Sequence, residues 1–122
     1  MRLLRPCPTL CLLLLASALA GCAPEAALTT ADFRARLPEL EARTLREPAD
    51  AGALRDLGEA YAQLQRFDPA RQALQSAYAL DADDPKTLYY LGVAHEGAGA
   101  EAEALFVLAQ YERLSPDSPY RP

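Results

Sequence analysis

The chain has 122 residues, 12 Lys or Arg against 17 Asp or Glu, and a formal net charge of −5. The acidic surplus argues against nucleic acid and anionic lipid headgroups as partners, because both carry the same sign of charge. Setting aside an oily N-terminus, about 100 residues remain, enough for one domain with a modest core.

Residues 1–21 stand apart from the rest. Arg2 and Arg5 give a positive start, Leu10 to Ala20 is an uncharged run of mostly Leu and Ala, and Ala18-Leu19-Ala20 has the small-x-small look of a cleavage site. This is the layout of a secretory signal. The run is shorter than the roughly 20 apolar residues that span a bilayer, and Pro6 and Pro8 stand just before it.

Leu19-Ala20-Gly21-Cys22 resembles the lipobox of bacterial lipoproteins. The resemblance implies a cut before Cys22 and acylation of its sulfur and new amine, palmitate among the chains, with no other cofactor. The competing reading is a cut after Ala20 that leaves Cys22 a free thiol. Lipidation is favoured because Cys7 and Cys11 leave with the signal, so Cys22 has no disulfide partner. Several acyl chains, at about 0.8 kcal/mol per buried methylene, anchor a protein stably. Losing Arg2 and Arg5 leaves ten basic against seventeen acidic side chains, a net charge of −7. Membrane contact is therefore expected through the lipid rather than the fold.

Residues 22–29, the cysteine and the aperiodic APEAALT, read as a tether. A helical segment is expected over 30–48, running from about Asp32 to Arg46. Pro38 would cost an unbroken helix about 3 kcal/mol, which predicts a kink or a fresh start there. A start at Pro38 would put Glu39 and Glu41 in the first turn and Arg43 and Arg46 in the last, matching the helix dipole, with Pro48 ending the helix.

Next comes an echo at an offset of 34: residues 51–84 laid over residues 85–118. Leu54 falls on Leu88, Leu57 on Leu91, Gly58 on Gly92, Ala60 on Ala94, Ala70 on Ala104, Leu74 on Leu108 and Leu80 on Leu114. The pattern resembles two tetratricopeptide repeats, with Leu57-Gly58-Glu59-Ala60-Tyr61 as the family's L-G-x-x-Y core and Ala70, Leu74 and Ala77 at its second-helix positions. His95 in place of the tyrosine and Tyr111 in place of the last alanine depart from the pattern and predict different packing in the second repeat. The resemblance implies an all-α fold: a short right-handed α-solenoid of two helix-turn-helix repeats behind the N-terminal helical segment, with residues 119–122 as a tail.

Elementary physics supports the same fold. Leu54, Leu57, Tyr61 and Leu64 sit three or four residues apart, as do Leu88, Leu91, His95 and Ala98, so each set makes one helical stripe. Gly58 and Gly92 each cost a helix about 1 kcal/mol relative to Ala, which is explained if a neighbouring helix approaches the backbone there. Asp68-Pro69 and Asp84-Pro85 each look like a capping carboxylate before a proline at the first helical position, and Gly97 and Gly99 break the chain between the last two helices. Repeats of this kind bury a shared core by stacking, and the N-terminal segment is expected to cover the first of them.

Tetratricopeptide domains are adaptors, and the resemblance implies a concave face lined by Arg55, Glu59, Ala62 and Gln63 and by Tyr89, Val93 and Glu96. For the charged residues an ordinary solvated face is the alternative. Glu59 and Val93 stand where a carboxylate-clamping member would carry asparagines, so a carboxylate-ended ligand is disfavoured. Tyr89 and Tyr90 lie about 100° apart on a helix. They cannot both join the leucine stripe, so at least one is expected to be partly exposed and to serve an interface. Ala104 to Ala109 is six apolar residues in succession. Leu105, Phe106 and Val107 are therefore expected to form a terminal apolar patch for a partner or a second copy, unless the N-terminal helix or the tail near Tyr120 covers it.

No catalytic constellation is visible. The lone histidine, His95, occupies a packing position, and Asp81, Asp83 and Asp84 lack the glycine and terminal glutamate of a calcium loop. The expectation is a non-enzymatic lipoprotein without metal, docking other envelope proteins or peptides. Ala23 after the lipidated cysteine leans, by analogy with lipoprotein sorting, toward the outer membrane, facing the periplasm. The rival is a self-associating structural protein.

Overall fold

The computed structural model describes residues 27–118. The signal segment, Cys22, most of the tether and the tail at 119–122 lie outside the described residues. Five helices follow one another in the described residues: α1 Thr30–Arg46, α2 Ala51–Gln63, α3 Phe67–Leu80, α4 Pro85–Gly97 and α5 Glu101–Leu114. The described residues contain helices and no strands.

α1 begins with a capping box: the Thr29 hydroxyl accepts from the Asp32 N–H at 3.3 Å and the Thr29 N–H donates to the Asp32 carboxylate at 2.7 Å. The N–H and hydroxyl of Thr29 hold the Asp32 carboxyl below its usual range. The acid of the first turn is thus Asp32, and not Glu39 or Glu41, while Arg43 and Arg46 occupy the last turn as expected. The helix runs through Pro38 without restarting. Pro38 and Arg34 both lie on the exposed side, so water can reach the Arg34 carbonyl that the missing N–H leaves unpaired. Phe33, Leu37 and Leu40 form the buried stripe and pack with Leu57 and Ala60 of α2 and Ala73 of α3.

Each helix packs on the next, and α2 also packs on α4. A second cluster joins Ala62 of α2, Ala70 and Leu74 of α3, Leu88, Tyr90, Leu91 and Ala94 of α4, and Val107 and Tyr111 of α5. The two glycines do what their cost implied: a Cβ on Gly58 would sit under 3.0 Å from the Leu74 side chain, and one on Gly92 equally close to Leu108. Asp84 caps α4, accepting from the Thr87 N–H at 3.2 Å and the Thr87 hydroxyl at 2.6 Å. Asp68 does not cap α3. That helix starts at Phe67, two residues before the expected Pro69, with no side-chain cap, and Asp68 sits in the first turn bonded to Arg71 at 2.7 Å.

The 34-residue period also reaches α1. Phe33 precedes Phe67 and Leu40 precedes Leu74 by one period. The residues that close α1, α3 and α5, Glu47, Asp81 and Ser115, are spaced by the same interval, and each N–H donates to the carbonyl four residues back at 2.9 Å. Asp50 and Asp84, one period apart, both cap the following helix. α1 therefore matches the second helix of a repeat, and the described residues hold that half-repeat followed by two whole ones.

Candidate functional site

Two surfaces collect the candidate residues. The first is the seam between α2 and α4. Arg55 is held by Asp56 at 3.0 Å and lies 3.6 Å from Asp84, Glu59 meets Lys86 at 2.6 Å, and the Gln63 amide donates to the Tyr90 hydroxyl at 3.3 Å. Burial works against the Arg55 charge, but the two aspartates outweigh it and raise its pKa above the ordinary value. Arg55, Glu59 and Gln63 thus tie the two helices together in addition to facing outward. Ala62 is buried. Beside the seam, α1, α2 and the start of α4 enclose a groove of about 300 Å³ with Phe33 and Leu40 at its apolar side and Arg36, Asp56 and Lys86 at its charged side.

Of the tyrosine pair, Tyr90 is buried at 7% exposure and Tyr89 is half-buried, its ring edge-on to Tyr90 at 5.1 Å and tilted against Tyr111 at 5.9 Å. Tyr111, which departs from the repeat pattern, fills the α4–α5 core at 1% exposure. Tyr90 therefore belongs to the packing, since its ring joins the same cluster. Val93 is half-buried and Glu96 exposed.

The second surface is the α5 end of the stack. Leu105 and Phe106 are 69% and 67% exposed, whereas Val107 is core at 7%. The apolar patch is thus Leu105 and Phe106, because Val107 lies on the side of α5 that meets α3 and α4. α1 packs against α2 and touches Ala73 of α3 but makes no contact with α5, so it does not cover this end. The other expected cover, the tail near Tyr120, lies outside the described residues. Leu105 opens onto a groove of about 290 Å³ lined also by Glu96, Glu101, Ala104 and Leu108. Phe106 borders a different groove, of about 430 Å³, with Gln75, Tyr78 and His95. Tyr78 and Gln75 had no signal in the sequence pattern, since the groove depends on how α3 and α5 lie together.

Position 61 and its counterpart 95 differ chemically. The Tyr61 hydroxyl donates to Glu41 of α1 at 2.6 Å, and burial, followed by that carboxylate, pushes its pKa up to about 12. His95 has an unpartnered Nδ1; burial and then the nearby Arg71 push its pKa down, opposed by Glu103. Among the described residues no group of three His, Cys, Asp or Glu side chains could hold a metal ion, and no helix is long and apolar enough to cross a membrane.

No protein-family model matches the chain. Over 50 residues it is 44% identical to the cytochrome c-type biogenesis protein CycH of Rhizobium meliloti (strain 1021), a match covering 41% of this chain and 12% of that protein. The match thus takes in about an eighth of the relative's length.

Proposed function

We propose that this chain is a lipid-anchored tetratricopeptide lipoprotein of the bacterial envelope that docks other proteins during their assembly, without catalysis of its own. The observation that carries the reading is the repeat stack itself, with Leu105 and Phe106 exposed on α5 among the described residues, together with the similarity to a protein named for cytochrome c biogenesis. Anchoring rests on the lipobox resemblance at Cys22, and an outer-membrane, periplasm-facing location on Ala23 after it. Crosslinking in the native cell followed by mass spectrometry tests the docking reading: recovery of the same envelope protein from independent preparations supports it, and recovery of this chain alone overturns it. Cys22→Ser should abolish labelling by radioactive palmitate and release the chain from membranes; membrane retention without label would overturn the anchor.

A second reading, self-association through Leu105 and Phe106 with no foreign client, is favoured by the exposure of those two neighbouring apolar side chains. Light scattering on the unlipidated chain that rises with concentration supports it, and a monomer throughout excludes it.

A further inference from the structure

The groove at the α5 end has a filled counterpart one period earlier. Its lining residues Glu96, Glu101, Ala104, Leu105 and Leu108 stand 34 residues after Ala62, Phe67, Ala70, Arg71 and Leu74. In the earlier repeat Ala62, Ala70 and Leu74 are buried with Leu88, Leu91 and Ala94 of α4, and the Phe67 ring lies against Gly97 at the end of that helix. The earlier groove is therefore a helix seat, and α4 is the helix in it. The later groove keeps the floor, with Ala104 and Leu108 for Ala70 and Leu74, but replaces Ala62 and Phe67 at its margins with Glu96 and Glu101.

Charge separates the two seats further. Where α4 lies against α2, Asp56, Glu59 and Asp84 all lie in ion pairs, whereas Glu96, Glu101, Glu103 and Glu112 form none among the described residues. A helix seat with an apolar floor and uncompensated carboxylates at its margin is complementary to an apolar stripe flanked by cations.

We propose that the α4–α5 groove binds a basic amphipathic α-helix of another protein, lying across α4 and α5 as α4 lies across α2 and α3. The proposal rests on the docking reading and assigns that function a site and a class of partner. Glu96 and Glu101 select lysine or arginine on the incoming helix, and Leu105 covers its apolar stripe.

The test uses the full chain carrying Cys22→Ser, with a fluorescent four-turn helical peptide bearing leucine and alanine along one stripe and arginines beside it. A control peptide has glutamate for every arginine. At low salt the arginine peptide should bind at least tenfold more tightly than the control by fluorescence anisotropy. Leu105→Asp should weaken it at least tenfold while circular dichroism stays helical, and Glu96→Lys with Glu101→Lys should reverse the preference between the peptides. Absence of binding, or binding that both sets of substitutions leave unchanged, overturns the proposal. If Arg55→Ala with Glu59→Ala abolishes binding and Leu105→Asp does not, the docking function stands and the site moves to the α2–α4 seam. A dimer by sedimentation velocity that Leu105→Asp dissociates makes a second copy the occupant and also overturns it.

Discussion

The two repeats are built on one steric plan and end in different surroundings. Leu74 closes over Gly58 at 0% exposure because α4 lies above it; Leu108 closes over Gly92 in the same way but keeps one side open to the end groove. The first repeat uses its polar side chains to tie neighbouring helices together, as in Glu59 with Lys86 and Tyr61 with Glu41. The second leaves its glutamates outside any ion pair among the described residues and its α5 leucine and phenylalanine in water. In a stacked array a helix pair acquires its burial from the next pair, so identical positions carry different energies according to whether another helix lies over them.

Truncating the two leucines is the largest test of that difference. Leu74→Ala should cost about 2–5 kcal/mol, the usual range for emptying a sealed core site. Leu108→Ala should cost less than half as much, because its lost contacts lie partly on the solvent side. Urea unfolding of both variants measures this, and equal losses would mean that the end groove is covered in solution. The glycines give a smaller contrast. At Gly58, a methyl group gains about 1 kcal/mol of helix propensity but meets overpacking of about 1–3 kcal/mol against a side chain with nowhere to go. Gly58→Ala should therefore destabilise by about 1 kcal/mol, and Gly92→Ala should be close to neutral as Leu108 swings toward the groove.

Those glycine and leucine positions were legible in the sequence because unlike residue types recur in one frame, and such a coincidence has few explanations besides repeated packing. The all-helical fold comes directly from them. Membership of α1 in the same period was harder to read: Phe33 and Leu40 repeat, but Leu37 faces Arg71 and Arg36 faces Ala70 across the interval. The half-repeat shows only when the helix ends at Glu47, Asp81 and Ser115 are seen to coincide. Asp68 misled because a carboxylate before proline marks a cap only if the backbone is still extended there, and the turn closing on Tyr61 sets helical geometry two residues sooner. Six apolar residues in a row announce an uncovered helix but not which of them face the core, so Val107 could not be separated from Leu105 and Phe106. The pairing of Glu59 with Lys86 needs the relative placement of two helices, which spacing along one chain does not contain.

The pH response should divide between the repeats. Burial and Arg71 lower the His95 pKa in the fold, so just below the ordinary value of 6.5 the unfolded chain takes up a proton more readily than the folded chain. Stability from this group is complete above pH 6.5 and is lost as pH falls through the lowered pKa. Tyr61 runs the other way: its pKa rises from 10.0 to about 12, so its contribution is complete below pH 10 and disappears between there and about 12. His95→Gln should flatten the part of a stability profile just below pH 6.5 and leave the alkaline limb, and Tyr61→Phe should flatten the alkaline limb and leave that part. Glu41→Gln should bring the Tyr61 titration, followed as a tyrosinate difference spectrum, part of the way back toward 10, with burial holding the remainder.

The turns between paired helices offer the finest comparison. Gln65 and Gly99 are one period apart and both adopt positive φ, 57° and 77°, while the residue after each donates to a carbonyl five back, Arg66 to Tyr61 at 2.8 Å and Ala100 to His95 at 2.9 Å. The left-handed conformation costs a residue with a Cβ about 1–2 kcal/mol, and glycine gives back roughly 0.4–1 kcal/mol of that through the greater freedom of the unfolded chain. Gln65→Gly should therefore raise stability by about half a kcal/mol, and Gly99→Ala should lower it by a similar amount or slightly more. The signs are opposite although the turns are alike, because only the first repeat carries a side chain where the geometry disfavours one. A loss on Gln65→Gly would show instead that the Gln65 side chain contributes to the turn, and the equivalence of the two repeats would then stop at their helices.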